Sequence, residues 1–164
     1  MQKTLHPFPP IIDSSSKVLI LGSFPSIKSF EESFYYAHPR NQFWPILSAL
    51  FDMPAKSREE RLKLLGSAKI ALWDVVAGCE RTDSSDAGLR SCEPNDIPAL
   101  LERYPNIEAI LFTGRKAESL FKKHFGKDTD LPLSLLPSPS PAYAAMSFDE
   151  KLRIWRETLY KLLF

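Results

Sequence analysis

Four runs of apolar residues stand out along the chain, at 18–21, 70–76, 107–112 and 131–136, each closed by turn-forming or small polar residues. Short apolar runs without polar alternation predict strands buried on both faces, as in a parallel sheet. Between them, apolar residues at helical spacing predict helices over 43–51, 58–65, 97–103 and 116–125, with a last one over 148–163. Ser57 with Glu60, and Ser147 with Glu150, read as capping boxes, while Gly66 and Gly126 stand where left-handed C-terminal caps are expected. Pro45 falls in a first helical turn, where its missing N–H costs nothing. Strands alternating with helices predict a three-layer α/β/α sandwich around a four-stranded parallel sheet, one domain over residues 1–164. In such sheets ligands bind beyond the carboxyl ends of the strands. Function is therefore sought in GSFPS at 22–26 and its continuation, the loop after Trp73 and Asp74, Thr113-Gly114-Arg115, and PSPSPAYAA at 137–145.

Composition narrows the classes. A length of 164 residues with 44% hydrophobic content suits one globular core, and the 12% aromatic content argues that the 14 prolines punctuate a folded chain. The net charge of +1 excludes a partner held by a large positive field, although a local patch remains open to nucleic acid. Cys79 and Cys92 are too few for a disulfide scaffold or a four-cysteine metal site, which points to a reducing, cytoplasmic setting. His6, His38 and His124 lie far apart in sequence, so no metal or other cofactor is expected. The opening residues lack an apolar leader run, and no later stretch approaches the roughly 18 apolar residues of a membrane span.

The strand ends carry the least ordinary residues. GSFPS matches neither phosphate-cradling glycine pattern, which disfavours a mononucleotide or dinucleotide site. Phe43 and Trp44, at a helix start, read as core, whereas Tyr35 and Tyr36 precede Ala37-His38-Pro39 and offer flat faces on which a planar base can stack. Asn41 sits just ahead of a helix and on its own reads as an N-cap. Ser23, Ser26 and Ser29 are turn serines or hydroxyl donors to a phosphate. The alternating prolines of PSPSPA predict a stiff loop whose serines keep their N–H and O–H donors free. Asp74 either caps a turn or accepts hydrogen bonds from a substrate, and Cys79 and Cys92 flank a polar loop that reads as a rim. Thr113-Gly114-Arg115 leads into a helix N-terminus, where anions are favoured.

Together these segments resemble the uracil-DNA glycosylase superfamily, in particular its hypoxanthine-DNA (deoxyinosine) glycosylase branch, over most of the chain. Gly22-Ser23-Phe24-Pro25-Ser26 corresponds to the first motif, G-I-N-P-G in the mismatch-specific branches, with Phe24 where those branches carry a water-positioning Asn. Tyr36-Ala37-His38-Pro39-Arg40-Asn41-Gln42-Phe43-Trp44 is similar, without a gap, to the aromatic-A-H-P-x-N-x-F-W segment. The second motif, H-P-S-P-L-S in uracil enzymes, corresponds to Ser138-Pro139-Ser140-Pro141-Ala142-Tyr143, with Ser138 for the His and Ala142 for the wedge Leu. Trp73-Asp74 and the 81–86 loop also resemble the hypoxanthine branch, which favours Gly where Asp83 stands.

The resemblance implies a monofunctional DNA glycosylase that flips out a deaminated base, hypoxanthine first, and hydrolyses its N-glycosidic bond. It implies Asn41 as the catalytic amide that aligns water, and Tyr36, Ser23, Phe24 and Asp74 as base-binding residues. Ser26, Ser138 and Ser140 are then phosphate contacts. The motif match does not cover Tyr143, whose size and flatness beside the small Ala142 make it the residue expected to enter the duplex. No lysine lies in either motif loop except Lys28, so no amine-dependent lyase step is expected. The expected partner is duplex or single-stranded DNA carrying a deaminated base, met by a monomer without a membrane. The alternatives are a mismatch-specific uracil/thymine enzyme and a catalytically silent DNA-binding relative.

Overall fold

The structure is a computed structural model that describes residues 4–6, 8–81, 88–126 and 129–164. Its centre is a parallel sheet of β2 (Val18–Gly22), β3 (Ile70–Asp74), β6 (Ala109–Thr113) and β7 (Leu133–Leu136), in the order β3-β2-β6-β7. The register runs from Val18↔Ile70 to Gly22↔Asp74 on one side of β2 and from Val18↔Ala109 to Leu21↔Phe112 on the other.

Because side chains alternate across a strand, β2 feeds two cores. Val18 and Ile20 pack against α2 (Phe43–Phe51), α3 (Arg58–Ala68) and α6 (Phe148–Leu163), with Trp44 and Trp155 among the large buried side chains. Leu19 and Leu21 face α4 (Ile97–Arg103) and α5 (Arg115–Phe125). A three-layer α/β/α sandwich results, as the apolar runs predict.

Several local expectations are corrected. The run 70–76 is not one strand: β3 ends at Asp74, and Val76 opens β4 (Val76–Arg81), which pairs antiparallel with β5 (Leu89–Pro94) and with the short β1 (Thr4–Leu5) in a second sheet. Asn95 holds the break by donating from Nδ2 to the carbonyls of Asp74 (2.8 Å) and Val76 (3.2 Å). Of the segment from Cys79 to Cys92 that reads as a rim, the ends are paired strand, with Cys79 buried in the second core, while residues 82–87 lie outside the described residues. An unpredicted helix, α1 (Ile27–Glu32), follows the first motif.

The glycines do not cap as expected. Gly66 lies inside α3, which ends with Lys69 in the left-handed region (φ 61°). Gly126 follows α5 in right-handed conformation (φ −55°). Both serine caps do form, each Oγ accepting the N–H of the glutamate three residues on.

Chain order decides where the sheet can hold a ligand. From β2 the chain crosses through α1, α2 and α3 to β3 on one side, then returns past β2 to β6 and β7 on the other. The strand order reverses at β2, and the carboxyl ends of β2, β3 and β6 diverge there into a crevice. Among the described residues no helix is long and apolar enough to cross a membrane.

Candidate active site

A cleft of about 670 Å³ opens at that crevice, and the residues expected to act on base, bond or phosphate line it: Asn41, Tyr36, Ser23, Phe24, Asp74, Ser26, Ser138, Ser140 and Tyr143. The 81–86 loop, with Asp83, lies outside the described residues except for Arg81.

The floor is built around Gly22. A β-carbon there would stand 2.5 Å from Asp74 Oδ1 and 2.9 Å from the Tyr36 hydroxyl, so only glycine leaves room for this polar group at the strand end. Tyr36 and Thr113 share a hydrogen bond of 2.9 Å between their hydroxyls. Asp74 is 3% exposed, and its Oδ2 lies 2.8 Å from His6 Nε2. Its side chain thus does not cap a turn. The Tyr35 hydroxyl donates to Pro9 O at 2.8 Å; burial first, then the nearby Asp74 charge, pushes this phenol well above its ordinary range. Tyr35 is a structural residue here.

Tyr36 is held by its own side chain against an uncommon backbone. Its φ is 51°, the left-handed region that costs a bulky residue energy. The ring stacks on Phe43 with centroids 4.0 Å apart and planes 8° from parallel, and the hydroxyl is tied to Thr113. Ser29 secures the following turn, its buried Oγ accepting the Ala37 N–H at 3.2 Å.

Asn41 has both of the roles open to it from sequence in reach. Its Oδ1 accepts the N–H of Phe43, the first residue of α2, at 2.9 Å, while Gln42 at the cap position makes no side-chain cap bond. A carbonyl oxygen carries two lone pairs, so this cap leaves one acceptor site and the amide N–H donors at the cleft wall.

The first-motif phenyl ring lies in an aromatic cluster. Phe24 packs against Phe30 (5.7 Å) and His6 (6.0 Å), and the Arg81 guanidinium sits 5.1 Å from the Phe24 ring and 5.0 Å from the Phe30 ring while donating to Pro25 O. Ser26 accepts the Ser29 N–H and donates to Ser29 Oγ, both at 3.2 Å, which commits its hydroxyl to capping α1.

The proline-rich loop is tied down through its carbonyls, since prolines have no N–H to give. Trp155 Nε1 donates to Pro137 O at 3.0 Å and the Gln42 N–H to Pro139 O at 2.9 Å. The backbone donors are not all free, as the sequence suggested: the Ser140 N–H goes to Ser138 Oγ and the Ala142 N–H to Ser140 Oγ, each at 3.2 Å. Both hydroxyls then serve as acceptors within the loop and keep their O–H donors for a ligand.

Several residues at the site carried no sequence signal strong enough to select them. Arg115 and Lys116 line the cleft at the start of α5, where positive side chains and the helix dipole reinforce one another. They follow a strand end, and that position was the available clue. Lys151 had none: it lies on α6, is 1% exposed, donates to Gln42 Oε1 at 2.8 Å and sits 5.2 Å from the Tyr143 ring centroid. Burial pulls its ammonium below the usual lysine range. His6 reaches the site from the amino-terminal strand, 68 residues before Asp74.

The sequence profile of the uracil DNA glycosylase superfamily matches residues 9–162. Proteins named Hypoxanthine DNA glycosylase from Methanosarcina barkeri and Methanosarcina acetivorans are each 37% identical over 112 residues, 67% of this chain and 71% of theirs. A solution NMR structure of a protein described as a candidate uracil DNA glycosylase, from Methanosarcina acetivorans, is 30% identical with a TM-score of 0.83, covering 98% of this chain and 99% of that one.

Proposed function

The chain belongs to the uracil DNA glycosylase superfamily and is a DNA N-glycosylase, and from that premise we propose that it removes hypoxanthine from DNA by simple hydrolysis. The observation that carries this reading is the meeting, in one cleft at the switch point, of the Tyr36 ring, the Asn41 amide and the Asp74 carboxylate. The 37% identity to proteins named for hypoxanthine supports the choice of base.

The deaminated nucleotide turns out of the helix into the cleft, at a cost of a few kcal/mol that is smaller for a mispaired base. Its base stacks on the Tyr36 ring at the cleft wall, while Asp74 reads its edge at the floor and Ser23 and Phe24 close the near side. Ser138 and Ser140 donate their hydroxyls to phosphates, and Arg115 and Lys116 add charge at the lip. The C1′–N9 bond breaks with its electron pair leaving on the base, and positive charge builds on the sugar. Water held by the open acceptor site of Asn41 Oδ1 bonds to C1′ and gives up a proton that neutralises the departing base anion, leaving an abasic site and free hypoxanthine. The positive end of α5, at Gly114 to Lys116, faces the charge on the departing base.

No amine takes part. Lys151 is committed to Gln42, and Lys116 stands with Arg115 at the opening of α5. Uracil removal is the second reading, favoured by the description of the structural relative. Single-turnover reactions on duplexes carrying hypoxanthine, xanthine or uracil test the proposal. The expected result is fastest loss of hypoxanthine, with strands intact until alkali is added. Preference for uracil overturns the substrate, and scission without alkali overturns the hydrolytic mechanism.

A further inference from the structure

We infer that His6 is a positioning residue that fixes Asp74 as the acceptor for the ring N–H created by deamination, so that the pair selects deaminated bases. The inference rests on the reading of Asp74 at the base edge proposed above.

The hydrogen bonds assign the ring. His6 Nδ1 accepts the Phe8 N–H at 3.2 Å, so Nδ1 carries no proton and Nε2 is the donor to Asp74 Oδ2 at 2.8 Å. Both side chains are buried, 3% and 5% exposed. The imidazole cannot swing away: Phe8, Phe24 and Tyr35 surround it with centroids 5.5 to 6.0 Å distant, and the His6 backbone N–H donates to Ala77 O at 2.7 Å, which fixes the residue from which the ring hangs. Asp74 is fixed at its backbone by the pairing with Gly22 and by Asn95. With Oδ2 held by His6, the carboxylate is locked about its last torsion and Oδ1 is turned to the Gly22 side, beside the Tyr36 hydroxyl.

A carboxylate oxygen only accepts. Adenine presents a lone pair at N1 and cytosine one at N3; deamination to hypoxanthine or uracil puts a proton on that nitrogen. A locked acceptor therefore attracts the damaged base and repels its parent. Guanine and thymine also carry a ring N–H, but in ordinary pairs they are costlier to flip than a mispaired base. Loss of the His6 donor leaves a buried carboxylate oxygen without a partner, free to turn away from the cleft.

The test measures single-turnover excision of hypoxanthine, xanthine and uracil, melting temperature and affinity for duplex with an abasic analogue, in wild type, His6→Phe, His6→Gln, Asp74→Asn and His6→Phe/Asp74→Asn. His6→Phe is expected to slow excision by about 10- to 100-fold, the range for a hydrogen bond to a charged group. His6→Gln, which keeps a side-chain donor, restores most of the rate. Affinity for the abasic analogue stays near wild type, because that DNA has no base to read. In the Asp74→Asn background, His6→Phe costs nothing more, since its effect passes through Asp74. Excision by folded His6→Phe at the wild-type rate, or a full further loss in the Asp74→Asn background, overturns the inference alone. If His6→Phe does not fold, His6→Gln no faster than Asp74→Asn overturns it instead. A wild-type protein that releases none of the three bases overturns the functional reading, and the inference with it.

Discussion

The ring of Tyr36 lies flat on that of Phe43, 4.0 Å between centroids and 8° from parallel, and Phe43 is itself fully buried. The tyrosine ring is thus fixed to the core of the protein and cannot tilt away from the cleft that it lines. The arrangement turns a loop residue with a left-handed backbone into a rigid platform.

Base–aromatic stacking is worth about 1–3 kcal/mol, so Tyr36→Ala is expected to lower single-turnover hypoxanthine excision roughly 10- to 100-fold. Tyr36→Phe keeps the stack while losing the hydroxyl bond to Thr113, and should remain close to wild type. Quenched time courses on one duplex compare the three proteins. An unchanged rate in Tyr36→Ala removes the platform.

Asn41 is expected to show two separable losses. Asn41→Ala should cost about 1 kcal/mol of stability through the lost Phe43 cap and lower the single-turnover rate by roughly 10²- to 10⁴-fold. Asn41→Ser supplies an oxygen to the cap without an amide, so its stability should recover while its rate does not. Melting temperature, DNA affinity and rate measured on one preparation decide the matter. A variant with wild-type rate per folded molecule makes Asn41 a cap alone.

Tyr143 stands 38% exposed at the cleft edge, next to Ala142, which is too small to fill the gap left by a flipped base. Tyr143→Ala should therefore weaken excision from duplex more than from single strands. The ratio of the two rates is the measurement, and equal losses would remove the wedge role.

Lys151 makes stability depend on pH at the alkaline end. Burial lowers its folded-state value below the ordinary 10.5. Between those two values the unfolded chain binds the extra proton, so this group's contribution to stability rises with pH there and is flat below. Lys151→Met should be at least as stable as wild type at pH 7, with the gap closing as pH climbs toward 10.5. Denaturant titrations of both proteins from pH 7 upward test this. Tyr35, whose raised value acts in the opposite sense above pH 10, is common to both and cancels in the difference.

The sequence alone determined the parallel sheet, its flanking helices and the segments that face the cleft. Buried strands need apolar residues at every position and helices need them at every third or fourth, and 18–21 and 43–51 satisfy those rules locally. Ser57 and Ser147 mark helix starts by chemistry confined to four residues. The motif segments were legible because their residues, Tyr36 to Trp44 above all, are contiguous.

Tertiary structure decided what depends on distant chain. The run 70–76 is apolar but for Asp74, and Val75 and Val76 carry the pattern on past it, so the local sequence does not mark the break; Asn95 and the second sheet impose it. Gly66 reads as a cap, but α3 continues to Ala68. Asp74 admitted a cap or a site role, and the partner that decides against the cap, His6, becomes visible only once the chain is folded. Lys151 gives no signal because an exposed-looking helical lysine and a buried one have the same neighbours in sequence; its environment is set by Gln42 and Tyr143, which other elements bring to it. Periodicity and caps are properties of a few consecutive residues, whereas the charge, orientation and free valence of a side chain in a cleft are set by groups that only the fold puts within reach.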